Sequence, residues 1–342
     1  MIEPMPTTRA VIDPSRRCGL RCRMCYYLHS DLKSVQPWES VKQQIDQAVA
    51  RGNTCADVTG GEPMLYPDIH RLVRHAHKVG LSLRIITSLI ASERRYREAV
   101  QDGIRNWLVS MHGLEATHDT IVQYNGARRL QEKRLDLILS LVEHPVTKDE
   151  MTTLDFNCVI SRYNQGELAA FAEYLLQWRP RIVNFISFNP HHEWRNHEGT
   201  LDLVADLNVV EPQLNEAMLI LEEHGCGVNV RYYPMCRIAT EYRRCVCNDL
   251  HVVFDSGEWD YDIQPKTFAA FREWGIKTSR GVEEKGPPCD GCDLQQICGG
   301  ANKFWHAASS KRYGERLVAH RGTMVAPNDF YHYRQFNANG MA

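Results

Sequence analysis

Three cysteines within eight residues, Cys18-Gly-Leu-Arg-Cys22-Arg-Met-Cys25, constrain this chain more than any other feature. Thiolates are the usual ligands of iron–sulfur clusters, and a cube normally takes four of them. Only three are offered here. A loop that folds back on itself wraps three corners of a cube and leaves the fourth iron open to something that is not protein. That makes a reaction site rather than an electron wire. The competing readings are a zinc knuckle and a set of buried thiols.

The loop follows a short apolar run, Ala10, Val11 and Ile12, that reads as a first strand. From there apolar positions switch repeatedly between helical and strand periods. Helical spacing recurs at Val41, Ile45, Ala48 and Val49, then at Ile69, Leu72, Val73, Ala76 and Val79. Further helices are marked by Tyr96, Ala99 and Val100, by Leu130, Leu135, Ile138 and Leu141, and by Leu168, Phe171, Ala172 and Leu175. Strands are predicted over 55–58, 81–86, 107–110, 154–160 and 182–188, and glycines punctuate the turns. Six strand–helix alternations imply an α/β fold of parallel strands with right-handed crossovers. The count alone also allows an open doubly wound sheet.

The cysteine spacing, with the apolar Met24 before the last thiol, resembles the signature of the radical S-adenosylmethionine (radical SAM) enzymes. The resemblance covers about residues 8 to 225 and selects a partial (β/α)6 barrel of the TIM type, with chemistry at the carboxyl ends of its strands. It implies that the amino and carboxylate groups of S-adenosyl-L-methionine chelate the open iron of a [4Fe-4S] cluster. One electron then cleaves the sulfonium and gives a 5′-deoxyadenosyl radical. Gly60-Gly61-Glu62-Pro63, directly after a strand, matches the family segment that contacts the cofactor's amino group. Glycines let the backbone come close to a ligand, and Glu62 reads as a support for the turn rather than a proton carrier. Thr87-Ser88-Leu89 departs from the Thr-Asn-Gly of many relatives, with Ser88 still a candidate donor. Ser110 and His112 stand where relatives bind the ribose or the carboxylate, and Asn157 has a similar case; each also reads as a turn-stabilising group.

The last hundred residues change character. Cys236, Cys245 and Cys247 precede an alternating run over 250–254, turn residues at Asp255-Ser256-Gly257 and a returning strand over 258–261. A helical segment around 268–274 follows, then Cys289-Asp-Gly-Cys292 and Cys298. Paired cysteine groups flanking a hairpin are a metal-site pattern. This region, 226–342, resembles the SPASM or twitch auxiliary-cluster extension, a small α+β domain. The fuller form continues to further cysteines and holds two clusters, whereas Asn302 stands at the next position here. Six thiols are too few for two fully cysteine-ligated cubes. One auxiliary cluster is expected, on Cys289, Cys292 and Cys298 with a fourth ligand from Cys236, Cys245 or Cys247. Zinc is the alternative. A thiol at Cys245 or Cys247 facing the active site would return a hydrogen atom to a substrate radical; a structural thiol is the plainer reading.

His191 and His192, with Arg195, follow the sixth strand and suit substrate binding or proton transfer, or simply a solvated loop. Cys55, Cys158 and Cys226 are expected to be buried core thiols. The basic and aromatic tail (Lys303, Trp305, Lys311, Arg312, Tyr313, Arg316, Arg321, Arg334) is expected to pack over the domain or line the substrate entrance. Twelve cysteines, with no apolar signal core at the start, argue for metal or redox chemistry in the cytoplasm rather than a disulfide framework. A formal net charge of −2 gives no electrostatic case for nucleic acid, and no apolar run approaches membrane-spanning length. The function expected is hydrogen abstraction from a C–H bond of a small molecule in specialised biosynthesis, with flavodoxin or ferredoxin as reductant. Maturation of a ribosomally made peptide is the alternative, disfavoured because the first strand begins about ten residues in. A non-catalytic metal-binding protein is the third reading.

Overall fold

The computed structural model describes residues 5–6, 9–25, 35–141, 152–188, 190, 202–247, 252–253 and 283–325. After a short β1 (Met5–Pro6), the chain alternates β2 (Arg9–Ser15), α1 (Trp38–Ala50), β3 (Cys55–Gly60), α2 (Ile69–Lys78), β4 (Ser82–Thr87), α3 (Glu93–Gln101) and β5 (Asn106–Ser110). Two helices follow, α4 (Glu115–Val122) and α5 (Ala127–Ser140). Next come β6 (Thr153–Ile160), α6 (Leu168–Leu175), β7 (Ile182–Ser187), α7 (Leu207–Glu223), β8 (Gly227–Arg231) and β9 (Val246–Cys247).

Strands β2 to β9 form one sheet in sequence order, every neighbouring pair parallel. The order is linear from β2 to β9, so the α/β barrel is partial. Side chains alternate across it. Ile12, Val58, Ile85, Val109, Phe156, Phe185 and Val230 belong to the buried core shared with the helices. The intervening residues point to the concave face.

Near the amino ends that face is closed by a chain of charges. Arg9 Nη1 reaches Asp57 at 2.7 Å, Arg84 bridges Asp57 at 2.7 Å and Asp155 at 2.9 Å, and Arg181 meets Asp155 at 2.7 Å. Burial alone would raise the Asp57 carboxyl, but the Arg84 and Arg9 guanidiniums outweigh it and hold it at about 2. The floor is ionic, and the cysteine loop stands at the opposite end.

Two corrections to the sequence reading concern strand and helix count. The sheet has eight strands rather than six, because β8 and β9 continue it past residue 225. Val228 and Val230 pair in register with Val183 and Phe185, an apolar match that extends the sheet edge. Helix α4 was not foreseen.

The remaining elements are β10 (Val252–Val253), β11 (Glu283–Glu284), β12 (Ala301–Asn302) and α8 (Lys303–Tyr313). β10 pairs in parallel with β1, and β11 pairs antiparallel with β12. The expected segments over 258–261 and 268–274 lie outside the described residues. The basic, aromatic tail packs on the barrel as far as it is described. Tyr313 Oη donates to the Val204 carbonyl at 3.1 Å, and Arg312 and Arg316 meet Asp202 and Asp206 at 3.4 and 3.1 Å. Arg334 lies outside the described residues.

Candidate active site

The loop bearing Cys18, Cys22 and Cys25 leaves β2 and crosses the carboxyl end of the sheet. Its anchor is the last turn of α4. Arg21 and Arg23 donate their backbone N–H to the carbonyls of Val122 and Ile121 at 3.3 and 2.9 Å, and Gln123 Nε2 donates to the Arg21 carbonyl at 2.6 Å. Leu20 is buried against Ile121, Val122 and Ala127, with Cys22 and Met24 packed on the same cluster. A helix end has orphan carbonyls to give away, and this one spends two on the loop. None of the three thiols is in a disulfide. Burial pushes Cys22 upward, and the nearby Cys25 and Cys18 push it further, so the three stand within electrostatic reach of one another. Thiols raised in this way need a metal to displace their protons. Three soft donors on one wrapped loop fit an iron–sulfur cluster.

Against this loop sits the end of β3. Gly60 has φ +116°, and a Cβ there would lie 2.2 Å from the Ser15 carbonyl oxygen; one on Gly61 would lie 2.3 Å from that of Arg17. Gly61 and Glu62 donate their N–H to those same carbonyls at 2.7 and 2.9 Å. The glycines therefore let β3 nest against the chain that leads into Cys18, in addition to any approach to a ligand. Glu62 is fully buried, and its carboxylate accepts from Thr87 Oγ1 at 2.6 Å, Ser88 N at 2.8 Å and Met64 N at 3.2 Å. Burial raises its pKa to about 7 against the pull of these donors. It braces the ends of two strands. Pro63 is buried and opens a short turn behind it.

Ser88 contributes backbone at this point: its N–H goes to Glu62 and its carbonyl accepts from Gln131 Nε2 at 3.1 Å. The same amide donates to the Ser110 carbonyl at 2.9 Å, so buried Gln131 ties β4 to β5. Leu89 has φ +57° and is fully buried. The backbone takes a left-handed turn here even though the side chain makes it costly. His112 is buried and stacked on His118, ring centroids 5.8 Å apart. Val159 N–H donates to its Nδ1 at 3.3 Å, which leaves the ring proton on Nε2. Burial pushes its pKa down to about 3, so the ring stays neutral. Asn164 fixes this segment by donating to the His112 and Val159 carbonyls at 2.7 and 2.8 Å.

Ser110, Asn157, Asn184 and Asn229 occupy one register row across β5 to β8. Asn229 donates to Asn184 at 3.0 Å, and Asn184 to Asn157 at 2.9 Å, a polar row on the concave face. Gln131, Asn164, Asn184 and Asn229 were missed from sequence, since a lone amide carries no signal until the fold supplies its neighbours. His191 and His192 lie outside the described residues. Cys55, Cys158 and Cys226 are buried.

The second cysteine group also comes together. Cys236, Cys289, Cys292 and Cys298 line a single small cavity, with Pro234, Leu294 and Leu317 among its walls. Backbone N–H groups point at the sulfurs: Val318 to Cys236 at 3.5 Å, His320 to Cys292 at 3.4 Å and Gly300 to Cys298 at 3.4 Å. Among the described residues, no three His, Cys, Asp or Glu side chains converge on a point that would hold a single ion. Cys245 is buried but does not line the cavity, and the Cys247 side chain lies outside the described residues. Asn302, at the position of a family cysteine, caps α8 by accepting from Phe304 N at 3.0 Å and Trp305 N at 3.1 Å.

An open parallel barrel with a three-thiol loop at its mouth, braced against a glycine-backed buried carboxylate, defines a class of cluster-dependent enzymes. The Radical SAM superfamily model matches residues 12–175, so that stretch of the chain carries the radical SAM domain. It is similar to the PqqA peptide cyclase of Xanthomonas euvesicatoria pv. vesicatoria (strain 85-10), 25% identical over 219 residues that cover 60% of this chain and 55% of the relative. The PqqA peptide cyclase of Xanthomonas campestris pv. campestris (strain B100) is 26% identical over 193 residues, covering 55% and 49%. The chain thus spans about half the length of the curated relatives it matches. Among solved structures, anSMEcpe with bound AdoMet and Cp18Cys peptide gives a TM-score of 0.60 at 16% identity, covering 97% of this chain and 98% of that one. Streptococcus suis SuiB bound to precursor peptide SuiA gives 0.58 at 13% identity, covering 94% and 76%. At these identities the structural likeness is one of fold. Among the described residues, no helix is long and apolar enough to cross a membrane.

Proposed function

We propose that this chain is a radical SAM enzyme that abstracts a hydrogen atom from a C–H bond of a peptide substrate. The observation that carries the reading is the loop of Cys18, Cys22 and Cys25 set against Gly60-Gly61-Glu62-Pro63 at the mouth of the barrel. Those thiolates would hold a [4Fe-4S] cluster, which supplies the electron that cleaves S-adenosylmethionine when both are bound. Around it, Glu62 fixes the ends of β3 and β4, His112 offers a neutral Nε2–H donor, and the asparagine row lines the concave face. The similarity to PqqA peptide cyclases favours a peptide over the small molecule expected from sequence. Cytoplasmic location and reduction by flavodoxin or ferredoxin go with this reading.

The second site, in a SPASM or twitch-like extension, would hold one auxiliary [4Fe-4S] cluster on Cys236, Cys289, Cys292 and Cys298. Four thiols around one cavity, three of them with backbone N–H donors, suit a cube better than a lone zinc ion. The test is deuterium transfer. Reduced, reconstituted protein is given S-adenosylmethionine with deuterated peptides, amino acids, sugars or nucleosides. Label in 5′-deoxyadenosine from a peptide alone supports the reading; label from a small molecule alone overturns the peptide assignment.

A further inference from the structure

Arg243 is only 8% exposed and is held by the residues that adjoin two thiols of the second cysteine cavity. Its Nε donates to the Met235 carbonyl at 3.3 Å, and its Nη2 meets His320 Nε2. Burial pushes its pKa down, opposed by the nearby Cys236, Cys292, Cys298 and Glu241; Met235 directly precedes Cys236, and the His320 N–H meets the Cys292 sulfur at 3.4 Å. A cation removed from water costs several kcal/mol unless a counter-charge meets it. Here its partners are a backbone carbonyl and a histidine ring, and the thiols of Cys236 and Cys292 adjoin both. Neutral thiols give a guanidinium nothing to pair with, whereas thiolates on a metal centre do.

We propose that Arg243 is the fixed counter-charge of the metal centre in this cavity and sets its reduction potential. The inference rests on reading the cavity as the seat of a [4Fe-4S] cluster on Cys236, Cys289, Cys292 and Cys298. A cube with four thiolates is a dianion and becomes a trianion on taking up one electron. A buried cation anchored at Met235, which precedes Cys236, and at His320, whose N–H meets Cys292, favours the more negative state and raises the potential. His320 ties this charge to the covering segment, because its own N–H points at Cys292 while its ring holds the guanidinium. Arg243 is thus a positioning residue that acts through the cluster.

The test uses the full chain, reconstituted anaerobically with Cys18, Cys22 and Cys25 changed to Ala so that one centre remains. Iron and sulfide content are measured for Arg243, R243K and R243M proteins, and the centre is titrated by electron paramagnetic resonance against dithionite and mediators. R243M is expected to keep its iron while its reduction constant falls about tenfold, a shift of about 59 mV for one electron. R243K should titrate close to Arg243. Iron loss in R243M with retention in R243K also supports the role of charge. A fully loaded R243M with an unmoved potential overturns the proposal, as does equal iron loss in both variants. Zinc without sulfide in the Arg243 protein overturns the cluster reading itself, and the assignment with it.

Discussion

Glu62 shows how much one residue of the barrel mouth has to do. It is buried, yet three donors converge on it from β4 and the turn behind it. Its folded pKa of about 7 stands above the ordinary value of 4.5, so between these values the fold holds a proton that the unfolded chain releases. The stability from that proton is fully present below pH 4.5 and is lost as pH rises through 7. Glu62→Gln should therefore destabilise the unloaded protein by about 1–3 kcal/mol, because one amide group meets the Ser88 N–H with the wrong polarity. The wild type's advantage, read from urea midpoints, should shrink as pH rises from 4.5 to 7. A constant difference across that window would show that Glu62 is not the titrating group.

Helix α4 shows what local pattern misses. Its sequence, Glu-Ala-Thr-His-Asp-Thr-Ile-Val, buries only His118, Ile121 and Val122 and presents no apolar repeat. Its worth lies in the carbonyls of its last turn, which hold the cysteine loop. Ile121→Ala, by opening space under Leu20, should cost about 2–4 kcal/mol. Iron loading of the first centre should fall while the second is unchanged, as measured by Mössbauer spectroscopy on singly occupied variants. The cysteine loop and the Gly60–Gly61 turn were legible for the opposite reason. Their chemistry needs ligands or bare backbone at fixed short spacing, and short spacing survives in a sequence.

At the scale of the whole molecule, the alternation of periods was enough to give parallel strands with crossovers, and the family resemblance selected the barrel, but neither gave its extent. β8 and β9 add two short strands beyond the expected edge, with few residues to carry a pattern. The choice of Cys236 over Cys245 for the second cavity was equally hidden, since it depends on chain returning across some fifty residues to Cys289. Cys236→Ala should lower the iron of the reconstituted protein from about eight per chain to about four, and Cys245→Ala should leave it unchanged. Equal loss in both would move the fourth ligand away from Cys236. Asn302, read from sequence as a missing ligand, turned out to be the cap of α8.

The most direct measurement is the fate of S-adenosylmethionine. Protein reconstituted with iron and sulfide and reduced by dithionite should form 5′-deoxyadenosine and methionine in amounts that scale with enzyme. Cys22→Ala should form neither, while retaining the iron of the second centre. Wild-type protein with both centres loaded that yields no 5′-deoxyadenosine, with or without peptide, would contradict the assignment of Cys18, Cys22 and Cys25 as the seat of radical generation.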